Sequence, residues 1–339
     1  MRPLTLRRLL WTCGALTAVL LACIVLALKL GAVPISVTDL VWNLGRIAIG
    51  RGDQLPTEYR LIVFDLRLPR ILLGILVGAA LSVSGASFQA LLRNPLADPF
   101  VLGVSSGAAL GSILALIVAP QIALITPLGA FLGAIATIAA VYFLGRREGQ
   151  LDSTTLLLGG IISASFLSAI IMFLMTTLAG RDLRGMVFWL MGDLSTPVPA
   201  GLRWIFTAGL LVGIGAIYTT AADLNLLLTG EREAIHLGVD VTRVKLVVYV
   251  SASLLTALAV SASGAIGYVG LLVPHAIRLL FGSDYRLLIP ASALGGAIAI
   301  VLADTLARTV VAPTELPVGA MTAMAGAPVF IYLLRRGIR

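Results

Sequence analysis

The side chains in this sequence that could do chemistry are mainly arginines and carboxylates at the ends of apolar runs. Arg67 and Arg70 lie three positions apart, with Pro69 between them. Pro69 suits the first turn of a helix, so both guanidinium groups would project to the same side. A guanidinium recognises a carboxylate through paired, charge-assisted hydrogen bonds. The spacing predicts a recognition site for an acidic partner, unless both arginines extend to lipid headgroups instead.

The sequence gives little support to catalysis or metal binding. The two histidines, His236 and His275, have no carboxylate or cysteine at the spacing of metal ligands, which favours packing or hydrogen bonding. The two lysines, Lys29 and Lys245, lie outside any GxxxxGK[ST] phosphate-binding loop. Paired carboxylates and a nucleophile elbow are lacking as well. We therefore expect that this chain neither hydrolyses ATP nor holds a metal.

A polar stretch, residues 221–245, separates two long apolar runs and carries charges that would be costly inside a bilayer. Its middle, residues 229–238, predicts a short helix that Thr229 caps and Gly238 closes. Such a helix on a membrane domain is suited to hold a soluble partner, although an ordinary solvated loop is the alternative. Its first turn carries the acidic Glu231 and Glu233. Its apolar side consists of Ala234, Ile235 and Leu237.

The composition is that of an integral membrane protein. Apolar residues make up 59% of the chain, charged residues 12%, and the mean hydropathy is +1.05. A water-soluble fold of this size could not bury so much apolar surface. The net charge of +8 would suggest nucleic-acid binding in a soluble domain. Here the arginines gather at the ends of apolar runs, where they indicate topology and docking rather than nucleic-acid contacts.

The apolar runs predict an all-α membrane protein with ten transmembrane helices in a single domain, residues 1–339. Each run approaches the roughly 20 residues that a spanning helix needs, and the run at 101–144 is long enough for two helices that turn between Pro120 and Pro127. Ten spans would put both termini in the cytoplasm. The predicted spans are 9–28, 71–92, two within 101–144, 155–178, 202–221, 246–263, 266–281, 287–307 and 316–334.

A short internal repeat suggests an inverted arrangement. Residues 82–86, SVSGA, are echoed by residues 261–265, SASGA, and in each copy a proline follows the glycine by ten positions, at Pro95 and Pro274. Five predicted spans separate the copies, so they would point in opposite directions and relate spans 2–5 to spans 7–10. Transporters often place their pathway at such a repeat interface. Chance similarity between small-residue helices is the alternative.

Three ordered blocks carry a resemblance to a known family. They are LRNPLADP at 92–99, GYVGLLVPH at 267–275 and ELPVG at 315–319, with further matches from about Arg67 to the C-terminus. Together they resemble the FecCD family, the membrane subunits of type II ABC importers for iron chelates, haem and vitamin B12. One departure is Tyr285, which stands where the family usually has His and which we expect to alter only a cytoplasmic turn.

The resemblance implies a division of labour among several subunits. Two permease copies, as a homodimer or a heterodimer with a paralogue, would surround a central path in the bacterial inner membrane. Two cytoplasmic ATPases would carry ATP and Mg, and an extracytoplasmic binding protein would deliver the cargo. This chain itself would bind no cofactor and catalyse nothing. Judged by how often each cargo occurs in the family, the resemblance favours a ferric siderophore, with vitamin B12 or haem as the alternatives.

The resemblance also assigns roles to particular residues. Residues 221–245 would couple to the ATPase, and the matching arginines would dock the binding protein. Two further stretches would constrict the cytoplasmic exit, although capping of the adjacent helices is an alternative role for Asn94, Ser153 and Thr154. The coupling residues are Leu228, Gly230, Glu231, Glu233, Ala234, Leu237 and Gly238. The docking residues are Arg67, Arg70 and Arg308, and the gate residues are Asn94, Pro95, Leu96, Ser153 and Thr154.

Two other functional classes fit the sequence less well. An ion-coupled secondary transporter is compatible with inverted repeats but normally carries an acidic residue at mid-span. The nearest candidate, Asp304, falls close to the predicted outer end of its helix. A membrane enzyme would need a catalytic constellation that the sequence lacks.

Overall fold

The structure is a computed structural model that describes residues 4–31, 33–48, 55–122, 124–147, 150–177, 183–195 and 200–335. Within these ranges the chain is helical apart from one minimal antiparallel pair, Arg146–Arg147 with Gln150–Leu151. The all-α class is therefore confirmed. Both chain termini and the predicted span end at residue 178 lie outside the described residues.

The helices follow one another with short connections. A π-helical segment, Leu61–Arg67, runs directly into α4, and a 3₁₀ turn, Pro99–Leu102, precedes α5. In chain order the α-helices are α1 Leu6–Lys29, α2 Val37–Ala48, α3 Thr57–Arg60, α4 Leu68–Leu91, α5 Val104–Val118, α6 Ile125–Gly145, α7 Ser153–Thr177, α8 Leu183–Leu190, α9 Ala200–Thr219, α10 Ala221–Leu227, α11 Glu231–His236, α12 Val241–Ser263, α13 Val269–Phe281, α14 Tyr285–Thr309 and α15 Val318–Arg335.

Each of the ten predicted spans coincides with a helix, but the helices differ in length. Among the described residues, seven are long and apolar enough to cross a membrane: α1, α3–α4 taken together, α6, α7, α9, α12 and α14. The other three, α5, α13 and α15, are shorter apolar helices. The chain is thus a multi-pass membrane protein, whereas the count of ten spans stays a prediction.

Helix α4 forms the centre of the bundle. All of residues 77–91 are buried, and α4 packs against α12, α13 and α14. Glycines allow the closest approaches: a Cβ on Gly78 would overlap the carbonyl of Gly296 in α14, and one on Gly85 would overlap that of Gly270 in α13. Such small-residue contacts let helix backbones approach without a hydrophobic driving force from water. The helices α4 and α14 run antiparallel, since Arg70 near one start meets Asp304 near the other end.

The two copies of the sequence repeat adopt different structures. Residues 82–86 lie within the continuous helix α4, whereas residues 261–265 cross the end of α12. There Gly264 has a φ of +66°, and a Cβ on it would overlap the carbonyl of Trp189. Only glycine adopts this backbone at little cost, so the second copy interrupts the helical structure between α12 and α13. The inverted repeat is therefore not confirmed.

Candidate functional site

The polar stretch 221–245 folds as α10, a three-residue connection, α11, a four-residue connection and the first five residues of α12. The predicted start of α11 is wrong by one residue, because the cap is Gly230 and not Thr229. The Thr229 hydroxyl instead donates to the carbonyl of Leu226 in the preceding helix. Gly230 has a φ of +138°, and a Cβ there would overlap the carboxylate of Glu233. The backbone conformation of Gly230 thus favours glycine, whereas the flexible Glu233 side chain could move aside.

The predicted end of α11 matches the structure. Gly238, at φ +88°, donates its N–H to the carbonyl of Ile235 at 2.9 Å, and Val239 donates to that of Ala234 at 3.0 Å. This pair of bonds is the Schellman motif, in which a left-handed glycine satisfies the last carbonyls of a helix. Ala234 is fully buried, whereas Ile235 and Leu237 are 59% and 62% exposed. The helix therefore rests on the bundle through Ala234 and leaves the apolar side chains of Ile235 and Leu237 exposed.

A buried lysine also holds α11 to the bundle. Lys245, in the second turn of α12, is only 6% exposed. Its ammonium group lies 2.7 Å from a carboxylate oxygen of Glu231 and donates to the carbonyl of Leu151 at 3.2 Å. A buried ammonium is stable only when such partners replace water. Lys245 consequently joins α11, α12 and the start of α7.

Helix α10 is held to α14 by a second set of polar contacts. Asn225 donates to Asp284 at 2.9 Å and accepts from the backbone N–H of Tyr285 at 2.9 Å. Asp284 also caps α14 and pairs with Arg286 at 2.7 Å. The Arg286 hydrogen bond, helped by Asn225 and opposed by partial burial, lowers the pKa of Asp284 to about 2. The Asp284 carboxylate therefore stays ionised well into acid.

The two predicted gate stretches meet at the same end of the bundle. The Ser153 hydroxyl, in the first turn of α7, donates to the carbonyl of Leu91 at 3.2 Å, three residues before Asn94. Asn94 accepts the N–H of Leu96 at 2.9 Å, which stabilises the turn after α4. Thr154, Pro95 and Leu96 are exposed. The cap of α7 is Asp152, which accepts the N–H of Thr155 at 2.7 Å, so Ser153 and Thr154 do not cap that helix.

Beneath this turn lies a buried polar cluster that the sequence did not predict. Arg278 of α13 donates to Gln89 of α4 at 2.8 Å, and Gln89 in turn faces backbone carbonyls of α13. Tyr285 is 1% exposed, and its hydroxyl donates to the carbonyl of Ala86 at 3.3 Å. The expectation that Tyr285 alters only a surface turn is wrong, because its ring inserts between α4 and α14.

The three predicted docking arginines lie at the opposite end of α4 and α14. Arg67 is 6% exposed and donates to the carbonyls of Leu28 and Val33. Arg70 pairs with Asp304 at 2.8 Å and with Glu315 at 2.7 Å. Arg308 is also 6% exposed and lies 3.1 Å from the other oxygen of Asp304. We refer to Arg67, Arg70, Asp304, Arg308 and Glu315 as the arginine cluster.

These contacts change the interpretation of the arginines. The sequence suggested guanidinium groups that project together toward a partner, but Arg67 and Arg70 turn to different partners within the chain. Glu315, at 46% side-chain exposure, is the exposed acid of the arginine cluster. The i,i+4 spacing of Asp304 and Arg308 was a signal for this internal pairing.

The described residues contain no group of three or more His, Cys, Asp or Glu side chains that could hold a metal ion. His236 ends α11 on its exposed side, and His275 lies half-buried in α13.

Comparisons with known proteins agree with this architecture. The profile of the FecCD transport family matches residues 19–336. A cobalamin import system permease protein, BtuC of Halobacterium salinarum, is 44% identical over 310 residues, which cover 90% of this chain and 82% of that protein. A hemin transport system permease protein, HmuU of Yersinia pestis, is 42% identical over 287 residues, covering 81% and 83%.

A solved structure supports the same conclusion. It is described as an inward-facing conformation of a metal-chelate type ABC transporter, and it superposes with a TM-score of 0.81 at 31% identity over 96% of this chain and 99% of that one. The profile match covers most of the chain, and the relatives are transport subunits without ATPase activity of their own. The chain therefore belongs to the FecCD transport family, as the non-catalytic permease subunit of an ABC importer whose ATPase is a separate protein.

Proposed function

We propose that this chain forms half of the path by which a bulky metal chelate enters the cytoplasm, and that α11 receives the force from the ATPase. The observation that carries this proposal is α11 itself. It is a short helix closed at both ends by glycines and held by the ion pair of Glu231 with the buried Lys245, with the side chains of Ile235 and Leu237 exposed. Exposed apolar side chains on a short helix suit a groove on a soluble partner.

The position of α11 favours force transmission over passive attachment. It lies at the same end of the bundle as the predicted gate stretches, Asn94–Leu96 and Ser153–Thr154. Closure of two nucleotide-bound ATPases would push α11, and the spans attached to it would move as rigid bodies. Short polar side chains at this end would then constrict or release the exit. In this arrangement the α11 end faces the cytoplasm, and both termini lie on that side.

The arginine cluster would face the outside and receive the binding protein there. Arg70 supports this role best, because one of its two carboxylate partners, Glu315, is half exposed. Two copies of the chain, each with ten spans, would enclose the path as a homodimer, or a paralogue would replace one copy.

The cargo we propose is a metal chelate too large for an ion channel. Family frequency favours a ferric siderophore, whereas the two relatives named above are described as carrying cobalamin and hemin. All three are large complexes in which the metal is already coordinated. The permease therefore needs no metal ligands of its own, and selection among chelates would fall mainly to the binding protein.

Uptake by vesicles tests the proposal. Proteoliposomes that contain the permease, its ATPase and its binding protein should accumulate one of three labelled cargoes, cobalamin, hemin or a ferric siderophore, only when ATP is present. Permease alone should transport nothing. Accumulation by permease alone, driven by an ion gradient, would overturn the proposal in favour of a secondary transporter.

The role of α11 has its own test. Leu237→Asp places a charge at an exposed apolar position and should weaken ATPase association while leaving the fold intact. The matched control is Val41→Asp on α2, whose valine is 65% exposed at the other end of the bundle. Gly238→Pro, which cannot adopt the positive φ of the Schellman motif, should abolish coupled uptake at normal expression. Normal ATPase binding in the Leu237→Asp variant would contradict docking at α11.

A further inference from the structure

Lys245 has contacts that attachment of α11 alone does not require. Its ammonium group makes one contact with a helix on the surface, through Glu231, and another with the backbone before α7, through the carbonyl of Leu151. The side chain is buried, so lipid headgroups do not account for its charge. Lys245 shares its face of α12 with Val248, Tyr249 and Ala252, which are also buried. This lysine thus lies inside the bundle, between α11 and α7.

The contacts continue beyond Lys245 to the predicted gate. Leu151 is followed by Asp152, which caps α7, and by Ser153, whose hydroxyl donates to the carbonyl of Leu91 at the end of α4. Asn94 starts the exposed turn three residues later. Polar contacts therefore connect α11 to the ends of both helices that carry the gate stretches.

We propose that Lys245 is a positioning residue that transmits movement of α11 to the first turn of α7 and, through it, to the turn after α4. This inference rests on the proposed function, in which α11 is the ATPase-coupling helix. A displacement of α11 would pull Glu231, and with it the ammonium group that holds the Leu151 carbonyl. If instead Lys245 only fixes α11 in place, its loss should weaken ATPase association and stability together, and should leave the cargo moved per ATP unchanged.

The test measures ATP hydrolysis and cargo uptake in parallel, in proteoliposomes of the full importer. Lys245→Met keeps the length and apolar stem but removes the charge, while the exposed part of Glu231, at 34% side-chain exposure, remains solvated. We expect ATPase association to persist and uptake per ATP to fall between about 5- and 150-fold, the usual range of allosteric coupling. Arg243→Met, on the exposed side of the same helix, is the matched control and should leave the ratio unchanged.

Two further variants keep the proposal testable if Lys245→Met folds poorly. Lys245→Arg retains the charge and should restore part of the ratio. Glu231→Gln should also lower uptake per ATP. The double variant Lys245→Met with Glu231→Gln should be no worse than Lys245→Met alone, because both changes break the same ion pair. Additive losses would overturn the proposal, as would a Lys245→Met importer with a normal uptake-to-ATP ratio.

The outcomes also separate this inference from the proposed function. If Leu237→Asp leaves ATPase association normal, then α11 is not the coupling helix, and both the docking proposal and the Lys245 inference are overturned. If Leu237→Asp disrupts association but Lys245→Met keeps normal coupling, the docking proposal stands and only the Lys245 inference is overturned. A Lys245→Met variant that loses association and stability in parallel with uptake assigns Lys245 a structural role and likewise overturns the inference.

Discussion

Charged side chains are mostly buried at one end of the antiparallel helices α4 and α14 and mostly exposed at the other. At one end, Asp304 is 2% exposed and lies between Arg70 and Arg308, so its carboxylate is paired inside the bundle. At the other end most charges of residues 221–245 are exposed, and the ion pair of the partly exposed Glu231 with the buried Lys245 joins the surface helix to the interior. The first arrangement serves packing, and the second leaves a surface available to a partner.

This difference predicts which property each end controls. Removing one member of a buried ion pair leaves an uncompensated charge in a place without water, which is costly to the fold. Removing an exposed charge changes stability little, because water already solvates it. Substitutions in the arginine cluster should therefore act first on stability, whereas substitutions in α11 should act first on coupling.

The largest expected effect is that of Asp304→Asn. It leaves Arg70 and Arg308 buried beside each other without their shared carboxylate, and we expect a loss of about 3–5 kcal/mol in the free energy of unfolding. Thermal unfolding of the purified permease in detergent would measure the loss. A variant that also carries Arg308→Met should recover part of it, because the second buried charge is then gone.

The control for this prediction is Asp39→Asn on α2, whose side chain is exposed near the same end. It should change stability by less than about 0.5 kcal/mol. If Asp304→Asn is as mild as Asp39→Asn, then water reaches the arginine cluster and the contrast between the two ends does not hold.

Much of the helix arrangement could be predicted from the apolar runs. Each of the ten predicted spans coincides with a helix, although α12 begins five residues before its predicted span and includes Arg243 and Lys245. The end of α11 followed from Gly238, because a left-handed C-terminal cap needs glycine. Its start did not, because Thr229 is chemically suited to cap a helix but bonds back to α10. Helix boundaries of this kind depend on the neighbouring helix as well as on the local sequence.

The contacts of the candidate site were harder to predict. Asn225 and Asp284 are 59 residues apart, and nothing local in either stretch indicates that they meet. The arginines were recognised as important, but the sequence alone could not say whether their partners belong to another protein or to this chain. For Lys245 a signal existed, since Val248 and Ala252 on the same face of α12 mark it as inward. Burial of a charge becomes evident only when the rotation of its helix is known.

The α11 end can be probed by pH. Because the pKa of Asp284 is lowered to about 2 from its ordinary 3.8, its stabilising contribution is full above about pH 4 and is lost as the pH falls toward 2. Partial exposure limits this contribution to about 1 kcal/mol. The gap between the melting curves of wild type and Asp284→Asn should therefore be smaller at pH 2 than at pH 5. An equal gap at both values would mean that capping geometry, rather than charge, is what Asp284 supplies.

The smallest expected effect is that of Glu315→Gln, which alters the exposed acid of the arginine cluster. Since Arg70 keeps Asp304, stability should change by only about 0.2–1 kcal/mol. If the partner contributes a carboxylate to Arg70, then removing Glu315 removes its competitor, and affinity for the binding protein should rise by the same energy, about 1.5- to 5-fold. Titration of the binding protein onto the reconstituted importer measures this, with Glu58→Gln on α3 as an exposed control. Weaker binding in Glu315→Gln would instead mean that Glu315 itself contacts the binding protein. Arg70 would then serve only to stabilise the fold.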